Sequence, residues 1–436
     1  MDWSRIPNVL MTALLLCAFV SLHRHSPTLS SRLWLAGWLM VLLHFTAAVF
    51  VKAQGIWGPM AFITQAAMNA CAGFMFMFAA IPDHKQTSCR WLLGSLMAAS
   101  TLYIAVVRLA PGEYWMLTVA AALLGLCPLT VMLFSPRSAN HPLRWVLVMI
   151  FVALSIYLLI FQNRPGIGPG SDAEVARHTV LLAVFLACFV LVSYTYLRAT
   201  AGAFITMAGF FCWAMSFIVM PLIRAHFPQV HIEKEVGDLP KFVVAVGMLM
   251  ILLEDQIEHN KFLALHDVLT GLPNRRLFQD RLAGTLERAR RSNSQAALLV
   301  VDLDHFKKVN DTMGHHVGDM LLQRVAAICS GRVRRSDTIA RTGGDEFSVI
   351  LEEPVSRADA ERVGQSLIQL IKEPLQLGDH TARIGASVGI ATFPEDAADM
   401  ESLCIAADLR MYENKHHSTS IGIAIPALQP DANSGL

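Results

Sequence analysis

Apolar residues along this chain of 436 fall into two regimes. Up to residue 223 they form long stretches with short polar breaks, near 6–22, 33–51, 59–80, 91–107, 114–134, 143–161, 178–197 and 201–223. About 20 apolar residues cross a hydrocarbon core as one helix, so each stretch predicts a transmembrane span. A ninth run, Phe242 to Leu253, follows Pro240 and is short for a span, though Leu239 and a tilt would extend it. From residue 254 the pattern breaks into short segments. It predicts helices at 275–291, 315–333, 357–371 and 399–415, and a strand at 296–303. A hairpin is predicted at 338–342 and 346–351, with further strands within 381–393. Such alternation specifies an α/β domain of two or three layers around one core.

Composition sharpens this division. The chain is 54% hydrophobic and 16% charged, against about 25% charged for an average soluble domain. Residues 1–223 hold only 17 of the 69 Asp, Glu, Lys and Arg. The front is membrane and the back soluble. The length accommodates two or three domains. A net charge of +1 without a long basic run argues against a nucleic-acid partner. Six of the eight cysteines lie in or beside the hydrophobic half and none forms C-x-x-C. They read as small buried hydrophobes, with no disulfide framework or structural zinc site. The first apolar run lacks an early basic cluster apart from Arg5 and precedes further spans, so it reads as a retained span and not a cleaved signal peptide.

Polar groups inside the spans are candidate sensory residues. His44, Gln65 and Asn69 fall within the second and third runs. They read either as a ligand or metal site or as interhelical hydrogen-bond partners. In the 224–241 loop, His226 and His231 stand near Glu233 and Glu235, an external ligand lip or a solvated loop. The stretch Arg164–Gly170 reads as an exposed loop. The segment 254–265 has helical composition, and Leu253, Ile257, Asn260 and Ala264 follow a 4-3-4 spacing. It is read as a connector, either a plain rigid helix or a short coiled coil.

The chemistry concentrates at two places. Val300-Val301-Asp302-Leu303-Asp304-His305-Phe306-Lys307 is an apolar strand ending in acids and a lysine. Arg341-Thr342-Gly343-Gly344-Asp345-Glu346-Phe347 sets two glycines before two carboxylates at a hairpin tip. Glycines admit phosphates close to backbone, clustered carboxylates take hard divalent cations, and a lysine meets phosphate charge. These are the parts of a site for a metal-bound nucleoside triphosphate.

Both segments resemble the GGDEF family of diguanylate cyclases, as does the entry His266-Asp267-Val268-Leu269-Thr270-Gly271-Leu272-Pro273-Asn274-Arg275-Arg276. The resemblance covers roughly residues 254–420 and implies a mostly antiparallel five-stranded sheet flanked by helices, like a cyclase or polymerase palm. It implies that Asp302, Asp345, Glu346 and the Leu303 carbonyl hold Mg²⁺ or Mn²⁺, with Asp345 and Glu346 catalytic. Asn310 and Asp319 match guanine-reading positions. Phe306, Lys307, Gly343, Gly344 and Lys415 match substrate-binding ones. Asp304 and Asp311 are assigned structural roles. Arg334 and Asp337, an R-x-x-D pair five residues before Gly343, match a product-inhibition site for cyclic di-GMP. After Lys415 the family's Gly-Arg-Asn is replaced by Ser418, Thr419 and Ser420, which puts normal GTP affinity in doubt.

The resemblance thus implies an inner-membrane, multi-pass bacterial diguanylate cyclase that acts as a homodimer on GTP under an unidentified sensory ligand. Its parts are a membrane region at 1–253, a connector at 254–265, a GGDEF domain at 266–425 and a polar tail at 426–436. A cytoplasmic catalytic domain requires an outside N-terminus with nine spans and an inside one with eight. Counted up to residue 200, the nine-span arrangement puts seven Lys and Arg in inside segments against five outside, which favours it. Breakdown of the product is not expected, since no EAL-type segment follows. The competing reading is a catalytically silent receptor for cyclic di-GMP or GTP.

Overall fold

The computed structural model describes residues 1–25, 27–80, 86–109, 172–195, 200–227, 229, 236–352 and 355–418. The chain forms two compact units, Met1–Ile257 and Glu258–Leu436.

In the first unit the described elements are helical: α1 (Ile6–His25), α2 (Leu29–Phe50), α3 (Trp57–Ala79), α4 (Gln86–Leu109), α5 (Asp172–Thr195), α6 (Ala201–His226) and α7 (Leu239–Leu265). Short 3-10 turns, Trp3–Arg5 and Val236–Asp238, lead into α1 and α7. Capping side chains set two starts. Thr28 and Ser31 form a reciprocal capping box on α2, and the Thr200 hydroxyl accepts from Ala203 N on α6. Among the described residues, five helical stretches are long and apolar enough to cross a membrane: Trp3–Arg24, Leu29–Phe50, Trp57–Ala79, Ala201–Ile223 and Val236–Leu265. The apolar parts of α4 and α5, Gly94–Val106 and Val180–Ser193, are shorter. The runs at 114–134 and 143–161, His231, Glu233 and Glu235 lie outside the described residues. Five of the eight or nine expected spans are thus found at full length among the described residues. The short ninth run and the connector are one unbroken helix, α7, with Pro240 tolerated in its first turn.

Large aromatic side chains fill this bundle. Trp38, Phe45, Phe76, Phe185, Phe210 and Trp213 are all fully buried, and Phe185 stacks on Trp213 with ring centroids 3.8 Å apart. Between α6 and α7 the packing is by backbone. A methyl at Gly202 would come within 2.6 Å of Ile251 N, and one at Gly209 within 2.8 Å of Val244 N. Small residues let helices in lipid approach this closely, where dispersion and not hydrophobicity drives association.

The second unit takes in the last residues of α7, from Glu258, and continues with a turn. It contains α8 (Arg275–Ser292), β1 (Ala296–Asp304), α9 (Phe306–Met313), α10 (His315–Arg332), β2 (Thr338–Arg341) and β3 (Glu346–Leu351). α11 (Arg357–Lys372), β4 (Leu375–Leu377), β5 (His380–Ala382), β6 (Gly385–Phe393) and α12 (Met400–Ser418) follow. The main sheet is antiparallel in the order β2-β3-β1-β6. Alternation along central β1 divides the core. Ala297, Leu299, Val301 and Leu303 join Leu321, Val325, Leu367 and Ile371 of α10 and α11. Ala296, Leu298 and Val300 join Leu282, Leu286, Leu403 and Ala407 of α8 and α12 on the opposite face. Each fully buried Leu or Ile contributes about 1.5–3 kcal/mol relative to exposure.

The expected five-stranded sheet is corrected to four strands, with β4 and β5 forming a separate two-stranded hairpin. Those strands are three residues each and pair only with one another, and Leu375, Leu377 and Ala382 are spent on the α10–α11 core. Helix α9 was not expected, because its polar residues around Asn310-Asp311 read as a turn. Gly314, at φ +86°, makes the sharp turn from α9 into α10.

Candidate active site

Strand parity places the first carboxylate. Asp302 shares the β1 face of Leu298 and Val300, so it points to the side covered by α12. Leu303 buries its side chain in the opposite core. Glu346 is the direct cross-strand partner of Asp302, so the two acids stand on one face. Asp345 is next to Glu346 in the connection between β2 and β3, and its carbonyl accepts from Leu303 N at 3.2 Å. Asp302 is buried, whereas solvent reaches Glu346. Partial burial and the neighbouring charges of Asp302, Asp345 and Asp408 together push the Glu346 carboxyl above the ordinary glutamate value, against a smaller opposing effect of Lys415.

Lys415 reaches this group from α12, and its Nζ donates to Asp302 Oδ1 at 2.5 Å. Three contacts set the register of α12. The backbone of β6 touches the helix at Gly389, where a methyl would collide with Ala407 O and Met411 N. Asn414 Nδ2 donates to Val388 O at 2.9 Å, and Arg410 forks onto Asp396 at 2.7 Å through both terminal nitrogens. Chiefly those Arg410 bonds, with others from Thr392 and Arg357, outweigh burial and hold Asp396 far below the usual carboxylate range. For Lys415, burial opposes the charge. The bond to Asp302 and the fields of Asp302, Asp345 and Asp304 win, holding the ammonium above the ordinary lysine value.

The glycines differ in their surroundings. A methyl at Gly343 would lie 2.7 Å from Glu346 Oε2, while one at Gly344 would meet nothing within 4 Å. Gly344 therefore faces open space beside the acids.

Asn310 and Asp319 come from α9 and α10. The Asn310 amide lies against Gly318 of α10, where a side chain would collide with it, and Asp319 follows Gly318 in the chain. Phe306 packs on the α10 side of the core, and Lys307 on the first turn of α9 is exposed. Asp304 accepts from Ser387 Oγ at 2.7 Å, whereas Asp311 is exposed. Arg334 and Asp337 close a turn before β2. Asp337 Oδ2 accepts from Arg334 N at 2.8 Å and Oδ1 from Glu352 N at 3.2 Å. The Asp337 carboxylate is thus already engaged in shaping that turn.

Two residues had no role in the sequence reading. Arg341 donates to both oxygens of Asp267 at 3.0 and 3.1 Å and to Gly344 O at 2.7 Å, and its backbone N donates to Pro273 O at 2.9 Å. It thereby ties the entry turn, bent at Gly271 (φ +70°), to the glycine loop. The signal available was its place beside the glycines. The other is Asp408 on α12, whose field reaches Glu346. Burial pushes its own carboxyl up, against an opposing effect of Arg275. It lies within the closing-helix motif, but only the fold brings it near Glu346.

A divalent cation fits this donor set by chemistry. The candidate ligands are all oxygens, and the Glu346 carboxyl is raised by partial burial and then by the negative charge of Asp302, Asp345 and Asp408, which a hard cation relieves. Among the described residues no three His, Cys, Asp or Glu side chains already converge into a metal cage.

Residues 264–420 match the family model described as diguanylate cyclase, GGDEF domain. The bifunctional diguanylate cyclase/cyclic di-GMP phosphodiesterase MucR of Pseudomonas aeruginosa is 42% identical over 188 residues, 40% of this chain and 27% of that protein. The diguanylate cyclase TpbB of the same species is 40% identical over 167 residues, 38% of each chain. A solved structure of the TpbB GGDEF domain shows 41% identity, with a TM-score of 0.34 over 35% of this chain and 89% of that one. The chain thus spans about two-fifths or less of the length of these two curated relatives. The carboxylate pair on β1 and β3, the glycine loop and the family match agree: the C-terminal unit of this chain is a GGDEF domain, similar to those of diguanylate cyclases.

Proposed function

We propose that this protein is a membrane-bound diguanylate cyclase, condensing two GTP into cyclic di-GMP with release of two pyrophosphates. The observation that carries the reading is the pairing of Asp302 with Glu346 on one sheet face, with Lys415 on Asp302 and open space at Gly344. Asn310 and Asp319 suit guanine, whose edge offers an O6 acceptor with N1 and N2 donors. Gly343 and Gly344 admit the triphosphate against the backbone, and Lys307 and Lys415 meet its charge.

Asp302, Asp345, Glu346 and the Leu303 carbonyl would hold Mg²⁺ or Mn²⁺, which when bound supplies charge stabilisation at the α-phosphate. A glutamate raised from its ordinary value is better poised to take a proton from the attacking 3′-hydroxyl. One domain presents one nucleotide, so two chains face each other. Each 3′-oxygen bonds to the other nucleotide's α-phosphorus as the bond to the pyrophosphate breaks. Arg334 and Asp337 would bind the product as an inhibitor. The membrane unit would anchor the chain in a bacterial inner membrane with the catalytic domain on the GTP-containing, cytoplasmic side, and residues 254–265 would carry its signal.

The test is cyclic di-GMP formation from GTP and Mg²⁺ by purified full-length protein beside an Asp345→Ala/Glu346→Ala variant. Product from the wild type alone supports the proposal. Binding of GTP or cyclic di-GMP without turnover supports the silent-receptor reading.

A further inference from the structure

A row of polar side chains crosses the main sheet at the level of the acids. Glu346 of β3 faces Asp302 of β1, and Ser387 of β6 faces Asp302 from the other side. Thr342, just past the end of β2, closes the row beyond Glu346, and its backbone N donates to Glu346 O at 3.0 Å. One step behind the row, Ser348 of β3 pairs with Ala340 of β2 and Val300 of β1, both in the core on the face of the acids. The hydroxyl oxygens of Thr342 and Ser348 stand 3.0 Å apart, which places the Thr342 side chain on that same face.

Burial decides which hydroxyl donates. Ser348 is 3% exposed, and Thr342 is its side-chain partner among the described residues. Were Thr342 the donor, the Ser348 hydrogen would be buried with no acceptor, at the full cost of its desolvation. Ser348 therefore donates and Thr342 accepts. The Thr342 hydrogen is left over, on a half-buried residue that directly precedes Gly343 and Gly344. Among the described residues no carboxylate or carbonyl takes it. Beyond it the loop is open, since a methyl at Gly344 would meet nothing within 4 Å. A hydroxyl hydrogen fixed at the rim of that space suits an anionic oxygen, which makes a stronger bond to it than a neutral acceptor does.

We propose that Thr342 is a substrate-binding residue whose hydroxyl donates to a phosphate oxygen of the bound nucleoside triphosphate, and that Ser348 is the positioning residue that turns this hydrogen outward. The proposal rests on the reading above, in which the glycine loop receives the triphosphate.

Binding of a GTP analogue with a methylene α–β bridge to full-length protein with Mg²⁺, measured by calorimetry, tests this without turnover. Displacement of the analogue by guanosine, which has no phosphate, is measured beside it. Thr342→Val keeps the branched shape and is expected to weaken the analogue by about tenfold or more, the scale of a hydrogen bond to a charged group. Guanosine is expected to bind that variant as it binds the wild type. Thr342→Ser, which restores the hydroxyl, is expected to recover most of the loss. Ser348→Ala is expected to weaken the analogue by about threefold, and to add nothing in the Thr342→Val background, where no hydroxyl remains to be oriented. That double variant buries no orphaned hydroxyl, and it decides the matter should Thr342→Val not fold. Wild-type affinity in Thr342→Val or in the double variant, an equal loss for guanosine, or no recovery in Thr342→Ser overturns the proposal. A wild type that binds the analogue but forms no cyclic di-GMP from GTP refutes the cyclase reading alone, and one that binds no analogue refutes both.

Discussion

Lys415 on the last described helix donates to Asp302 on the central strand at 2.5 Å, across 113 residues of chain. The bond places a cation on the most buried carboxylate of the group. Lys415 is also the charge that opposes the upward push on Glu346.

Replacing Lys415 by Met is expected to lower kcat/KM for GTP by about 10²–10³-fold, the scale of losing one preorganised charge contact. It is also expected to move the acid limb of the pH–rate profile to higher pH, because Glu346 then loses its opposing cation. An acid limb that stays in place would show that Lys415 does not act on Glu346.

Glu346→Gln separates activity from stability. A carboxyl raised in the folded state costs stability at high pH, and that cost disappears as pH falls through its folded value to below the unfolded one, about 4.3. The inactive variant is therefore expected to melt about 1–3 °C above wild type at pH 8, with the gap closing on acidification. Scanning calorimetry at pH 8, 6 and 4 reads this directly.

The two loop glycines should respond differently to alanine. At Gly344 the methyl enters open space, so stability is expected to hold within about 0.5 kcal/mol while KM for GTP rises. At Gly343 it meets Glu346 Oε2 at 2.7 Å, so displacement of that acid is expected to lower kcat. Equal effects of both substitutions on KM and kcat would contradict this division.

Asp267→Asn weakens the link from the entry turn to the glycine loop. Burial pushes the Asp267 carboxyl up, but bonds from Thr270 and Arg341 outweigh it and leave it below the ordinary value. Its stabilisation is thus full above the unfolded value near 3.9 and lost as pH falls through the folded one. The variant is expected to be about 1–3 kcal/mol less stable at pH 7, the scale of a charged hydrogen bond. Urea titrations should show the difference shrinking only below about pH 4.

Local pattern carried most of the second unit. The ends of β3 fell where the hydrophobic pattern placed them, and those of β1, α8 and α10 within one residue, because each element buries one side at its own period. Helix α9 escaped because its eight residues are too polar to show an apolar stripe. The independent β4–β5 hairpin escaped because strands of three residues carry almost no alternation. In the first unit, run length was legible, but the partners of His44 were not. Lys241 stands 197 positions away from it, a separation that no period in the chain encodes. Asp408 and Arg341 were hidden for the same reason, since sequence spacing does not express which distant element faces an acid.

Asn310 owes its position to an omission. Gly318, which has nothing with which to touch a nucleotide, leaves the hollow that the Asn310 amide occupies on α10. The proposed base preference is therefore inherited from a residue outside any contact map of the ligand. In a genetic screen, a valine at 318 would score as a recognition mutant while altering no recognising group.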